Sequence, residues 1–98
     1  MIIDKRMEHG TLVFAPTGRL DSATAFVFEE NLLESISEAK VLILDLKNVE
    51  YISSAGLRVI LKAQKLMKSH GKMKITGANA MIMEVFDITG FSDFLTIE

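Results

Sequence analysis

The sequence predicts an α/β fold, with an N-terminal hairpin followed by β-α repeats: about five strands in a mostly parallel mixed sheet, with three to four helices. Three observations carry that expectation. Val41-Leu42-Ile43-Leu44 is a short continuous apolar run of the kind that lies in a covered sheet. Stretches with apolar residues at helical spacing lie on either side of it. Strand and helix signals alternate after the hairpin, which implies crossover connections and parallel pairing.

Taken in order, Ile2 to Met7 alternates imperfectly, His9-Gly10 supplies turn chemistry, and Thr11-Leu12-Val13-Phe14-Ala15 is apolar and partly β-branched. Pro16-Thr17-Gly18 is expected to stop this second strand, because Pro offers no ladder donor and Gly tolerates positive φ. From Ser22 to about Glu38, Ala25, Phe28, Leu32 and Ile36 form one stripe, with Glu29, Glu30 and Glu34 mostly off it. Asp45 closes the central strand. A second helix is predicted from about Ser54 to His70, with Gly71 as a left-handed C′ residue and Lys65, Lys68 and His70 suited to the helix dipole. Met73 to Thr76 reads as a strand, Asn79 as the cap of a third helix carrying Ile82, Val85 and Phe86, and Gly90 as its terminator. Phe94 to Ile97 is expected to finish as a strand.

The 98 residues suit one compact domain spanning 1–98, and no linker, repeat or low-complexity tract divides them. Net charge is −2 from 11 basic and 13 acidic residues, with no basic block to track a phosphate backbone, so nucleic acid is not expected as a partner. The absence of Cys removes thiolate chemistry and Cys-based metal sites, and it suits a reducing compartment such as the cytoplasm. No apolar run approaches the ~20 residues of a membrane span, and the N-terminus lacks the order of a secretion signal. His9 and His70 are isolated and read as turn and helix-end residues, so neither a metal nor a cofactor is expected. Met67, Met73, Met81 and Met83 read mainly as core filler.

The informative stretch runs from Asp45 to Leu61, where a buried strand passes through a short loop into a helix that opens with Ser53 and Ser54. The first four amides of a helix lack internal partners, and a Ser at the N-cap can satisfy one of them. The same geometry also suits a phosphate, which would meet free N–H groups and the positive end of the helix dipole. Ala55-Gly56 keeps side-chain bulk low beside the hydroxyls, which would let another protein's active site approach. Spacing alone leaves capping and modification both open.

Residues Asp45 to Leu61, taken with Thr17-Gly18-Arg19-Leu20-Asp21, resemble the STAS domain of bacterial anti-sigma-factor antagonists. The family typically shows a T-G-x-L-D turn after the second strand and D-S-[ST]-G-L at the second helix start, with the first Ser of that motif phosphorylated. Gly56-Leu57 fixes the register, so the resemblance makes Ser54 the phosphoacceptor, with Ser53 the alternative. Gly71-Lys72-Met73 and Phe86-Asp87-Ile88-Thr89-Gly90-Phe91 are similar to further family stretches. Ser53 stands where the family usually has Asp, and Arg58 where many relatives have Gly.

The resemblance implies the STAS fold and a partner switch. An anti-sigma factor that is also a serine kinase of the histidine-kinase-like ATPase type would bind the unmodified chain and free its sigma factor. Phosphorylation would break the complex, and a metal-dependent Ser/Thr phosphatase would reset it. The implied partner surface comprises Thr17, Gly18, Asp21, Ser53, Ser54, Gly56, Leu57 and Arg58. Asp21 has two readings, one positioning the partner's active site and the other a turn or N-cap residue.

An enzyme reading finds no Gly-rich phosphate loop, nucleophile elbow, or nucleophile–base spacing. A phosphoacceptor receiver domain would need an acidic pair after the first strand, and none is present. The remaining competitor is a STAS scaffold or interaction subunit in a transporter, lipid-transport or stressosome-like complex, where phosphorylation is not needed.

Overall fold

The computed structural model describes residues 1–98. Strands β1 (Ile2–Glu8) and β2 (Thr11–Leu20) form an antiparallel hairpin in which Glu8 faces Thr11 and Ile2 faces Thr17. His9 and Gly10 both adopt positive φ, 53° and 82°. A two-residue turn with both φ values positive matches the right-handed twist of its strands, and it fixes the hairpin register.

β2 does not stop at Pro16 but continues to Leu20. β3 (Val41–Asp45) lies parallel to its first half, from Thr11 to Phe14, and β4 (Val49–Ile52) lies parallel to its last part, from Gly18 to Leu20. Pro16 falls in the gap between these two partners, where a missing N–H costs the ladder least. The segment from Val41 to Ile52 thus shadows β2 along one edge, broken only at 46–48. β4 escaped the sequence reading because its four residues, Val49-Glu50-Tyr51-Ile52, are too few for an alternation to stand out. β5 (Lys72–Thr76) pairs parallel with β3, giving a five-stranded mixed sheet of order β1-β2-β3-β5 with β4 beside β2.

Helices α1 (Ala25–Ile36), α2 (Ser54–Lys68) and α3 (Ala80–Thr89) follow β2, β4 and β5, and a 3-10 turn spans Phe91–Asp93. Along the central strands Leu12, Phe14, Leu42, Leu44, Met73 and Ile75 are buried while their alternates Val13, Ile43 and Lys74 are only half-buried. That period-two pattern marks the face on which the helices pack. Phe28 of α1 meets Phe14 of β2 with ring centroids 5.8 Å apart. The predicted stripe of α1, Ala25, Phe28, Leu32 and Ile36, is its buried face. Strands β2 to β5 and all three α-helices contribute to one cluster of 23 buried apolar residues, so the helices and the central sheet share a core. Burying each large member fully contributes about 1.5–3 kcal/mol. Met67 and Met73 fill that core as expected, whereas Met81 is exposed.

Two further local expectations need correction. Gly71 is not left-handed: α2 ends at Lys68, with Ser69 right-handed at the C-cap and its Oγ donating to the Leu66 carbonyl at 2.7 Å. Gly71 is required for close approach instead, because a Cβ there would collide with the Lys40 carbonyl oxygen, which also accepts the Lys72 amide at 2.9 Å. The predicted C-terminal strand reduces to a single parallel bridge between Ile97 and Ile75. The rings of Phe86, Phe91 and Phe94 pack in sequence, with centroids 6.3 and 5.0 Å apart, and hold the chain against α3 until Leu95. Asn79 does cap α3, its Oδ1 accepting from the Ile82 amide at 2.8 Å, and Gly90 ends it at φ 83°.

Candidate functional site

β2 and β4 end together, Leu20 opposite Ile52, and α1 and α2 both begin at that edge of the sheet. The carboxyl ends of adjacent parallel strands are where α/β sheets place their sites. The Ser53 amide donates to the Leu20 carbonyl at 2.8 Å, which extends the ladder by one bond and sets Asp21 beside Ser53. Thr17-Gly18-Arg19-Leu20-Asp21 and Ser53-Ser54 are therefore brought to one rim.

The two serines differ in kind. Ser53 is the N-cap of α2, with φ −101° and ψ 177°, yet its side chain makes no capping bond. Its Oγ is enclosed and has no hydrogen-bond partner. The anticipated cap interaction is thus absent. Ser54 is the first helical residue and is exposed. The first intrahelical bond runs from the Leu57 amide to the Ser53 carbonyl at 2.9 Å. The amides of Ser54, Ala55 and Gly56 precede it and have no acceptor within the helix. Nor does the first turn of α2 carry an acidic side chain, so the positive end of the helix dipole is not offset.

Gly56 and Leu57 point inward. A Cβ on Gly56 would lie 2.9 Å from Ile52 Cγ1 and 3.0 Å from the Leu20 carbonyl oxygen, so this glycine lets α2 start hard against the strand ends. Its small size serves packing within the fold. Leu57 is 7% exposed and belongs to the core. Arg58 is exposed one turn beyond Ser54, on the same face of the helix.

The facing loop is built as tightly. Gly18 has φ 112°, its amide donates to the Asn48 carbonyl at 3.0 Å, and the β2–β4 register shifts directly after it. No atom lies within 4 Å of where its Cβ would be, so the backbone angle and not crowding calls for glycine. Thr17 is exposed beside it. The Asp21 Oδ1 accepts from the amides of Ala23 at 3.0 Å and Thr24 at 3.2 Å, and Arg19 Nε stands 3.7 Å from its other oxygen. Partial desolvation pushes the Asp21 carboxyl up, but the Thr24 and Ala23 amides, the Thr24 hydroxyl and the Arg19 charge together outweigh it and hold it below the usual range. Asp21 is thereby an ionised turn former ahead of α1.

Two features of this rim were not anticipated. The Arg19 guanidinium lies over the Tyr51 ring, 4.3 Å from its centroid, tying the loop to β4. Phe26 and Val27, on the first turn of α1, are 71% and 43% exposed. The Glu29–Lys62 ion pair at 3.6 Å links α1 to α2, the helix that carries Arg58. Both residues lie off the buried stripe of α1, which was the available signal.

Free helix-start amides, an exposed hydroxyl and an apolar, charged rim thus stand together at this end of the sheet. The STAS domain family model matches residues 3–98, and the chain belongs to that family. It is 28% identical over 96 residues to the anti-sigma-B factor antagonist of Bacillus subtilis strain 168, covering 97% of this chain and 88% of that protein. Among solved structures it is similar to an anti-sigma factor antagonist from Mycobacterium paratuberculosis, with TM-score 0.90 at 18% identity over 98% of this chain and 83% of that one. It is also similar to the Bacillus cell fate determinant SpoIIAA in its phosphorylated form, with TM-score 0.77 at 15% identity over 99% of this chain and 91% of that one. No helix of the chain is long and apolar enough to cross a membrane.

Proposed function

We propose that the chain is an anti-sigma-factor antagonist in a partner switch: unmodified, it binds an anti-sigma factor through the rim around Ser54, and phosphorylation of Ser54 abolishes that binding. The kinship with anti-sigma factor antagonists supports the partner class. The observation that carries the choice of residue is the contrast between the exposed Ser54 and the enclosed Ser53 Oγ. A kinase must reach the hydroxyl it modifies, and Ser54 is the one within reach.

A phosphoserine brings about −1.5 to −2 charges at neutral pH. At Ser54 it meets the unpaired amides of the first turn, with Arg58 one turn further on, so the domain accommodates the dianion without unfolding. A partner surface fitted to a neutral hydroxyl instead faces repulsion and desolvation cost. Each ~1.4 kcal/mol of that cost is tenfold in affinity, so two or three such increments give an off state. In this reading the anti-sigma factor is itself the serine kinase, of the histidine-kinase-like ATPase type, and a metal-dependent Ser/Thr phosphatase restores the hydroxyl.

The test is to incubate the chain with its candidate kinase, magnesium and ATP and to map the product by mass spectrometry. One phosphate at Ser54, absent from Ser54→Ala and retained in Ser53→Ala, is the expected result. Modification confined to Ser53 would overturn the assignment.

A further inference from the structure

At the opposite end of α2 from Ser54, a groove of about 700 Å³ runs between the last two turns of that helix and the outer edge of β5. Its apolar floor is Leu61, Met73 and Phe94, its rim carries Lys65, Lys68, Lys72 and Lys74, and no acidic side chain lines it. On a chain of net charge −2, four lysines around one groove are a local reversal of sign. Lys65, Lys68 and Lys72 form no ion pair, whereas Lys74 holds Glu98 at 3.4 Å.

The strand edge is only partly used. Ile75 turns its main chain away from β3: its amide donates to the Thr96 carbonyl at 2.8 Å, and its carbonyl accepts from the Glu98 amide at 2.8 Å. Along a strand, successive residues alternate the edge to which their main-chain groups point. Met73 therefore aims its N–H and C=O at the same outer edge, below the point where Thr96–Glu98 leaves off, and nothing pairs with them. Gln64, which also lines the groove, carries an enclosed side-chain oxygen without a partner.

The chain thus shows on itself what this edge accepts. Thr96–Glu98 is a short extended segment, paired in parallel, with a carboxylate on a rim lysine. We infer that the groove between α2 and β5 binds an acidic extended segment of a partner protein, which pairs with the main chain of Met73 and sets its carboxylates against Lys65, Lys68 and Lys72. Strand addition supplies affinity through the main chain, and the lysines select for acidic side chains. The groove is remote from Ser54, so a partner held here stays bound in both phosphorylation states.

The probe is a fluorescein-labelled six-residue peptide alternating glutamate and valine, followed by fluorescence anisotropy at low salt and by amide shifts in a nitrogen-15-labelled chain. Saturable binding is expected, with the Met73 amide among the largest shifts. Affinity should fall by about tenfold in Lys68→Glu/Lys72→Glu, whose two sites are exposed and unpaired, and a peptide alternating lysine and valine should not bind. No saturable binding at millimolar peptide, equal affinity for the charge-reversed protein, or shifts centred on Ser54 would each overturn the inference. Sodium dodecanoate moving these amides when the peptide does not would also overturn it, assigning the groove to anionic amphiphiles.

Discussion

The amide of Ser53 donates to the carbonyl of Leu20 at 2.8 Å, and that one bond joins the end of β2 to the start of α2. It places the Asp21 turn and the Ser54 hydroxyl on the same rim, and it works only because α2 can begin in contact with the strand ends.

Gly56 makes that contact possible. Ala in its place gains about 1 kcal/mol of helix propensity but introduces a Cβ at 2.9 Å from Ile52 Cγ1 and 3.0 Å from the Leu20 oxygen, an overpacking that costs about 1–3 kcal/mol. Gly56→Ala should therefore lose about 1 kcal/mol in urea denaturation. A stability gain would show that α2 has room to shift.

Ser53→Ala should behave unlike the loss of a cap. The hydroxyl is enclosed and unpaired, so removing it relieves a desolvation cost of about 1 kcal/mol instead of breaking a bond. Denaturation should find the variant as stable as the wild type or more so. A loss of about 1 kcal/mol, the usual penalty for a missing N-cap, would contradict the geometry.

Asn79 is the contrasting case, since its Oδ1 takes the Ile82 amide and its Nδ2 reaches the Val49 carbonyl at 3.3 Å. Asn79→Ala should cost about 1–2 kcal/mol. Hydrogen exchange should show the first turn of α3 opening more readily than in the wild type, and unchanged protection there would contradict the capping role.

Asp21 links this rim to pH. Its carboxyl is held below the usual ~3.9, so the ionised form favours the fold. That contribution is fully present above the unfolded value and is lost as pH falls through the lower folded one. Asp21→Asn should lower the midpoint of thermal unfolding at pH 7, with the gap to wild type closing as pH falls below the usual carboxylate range. A pH-independent gap would assign the effect to lost hydrogen bonding alone. Unchanged phosphorylation and partner affinity in this variant would leave Asp21 only its structural role.

The sequence disclosed what periodicity and caps encode. The stripe of α1, the apolar run of β3, the cap at Asn79 and the stop at Gly90 all read directly. It concealed what depends on distant partners. Pro16 reads as a strand breaker until β2 is seen to change neighbours there, and Gly71 reads as a helix terminator until Lys40 is seen against it. Ser53 reads as a cap because residue type and position agree, yet the direction of its hydroxyl is set by tertiary packing. Gly56 reads as clearance beside the hydroxyls, and the strand ends that also require it, Leu20 and Ile52, come into view only in the fold. The free edge at Met73 could not be foreseen, since it depends on where the chain after Phe94 returns to β5.

In the proposed switch, one added dianion at Ser54 separates this domain from its partner while leaving the fold intact. Isothermal titration of the cognate anti-sigma factor into the unmodified and the stoichiometrically phosphorylated chain tests it directly. Affinity should fall by about a hundredfold or more on phosphorylation, with the unfolding midpoint little changed. Equal affinity in the two forms would contradict it.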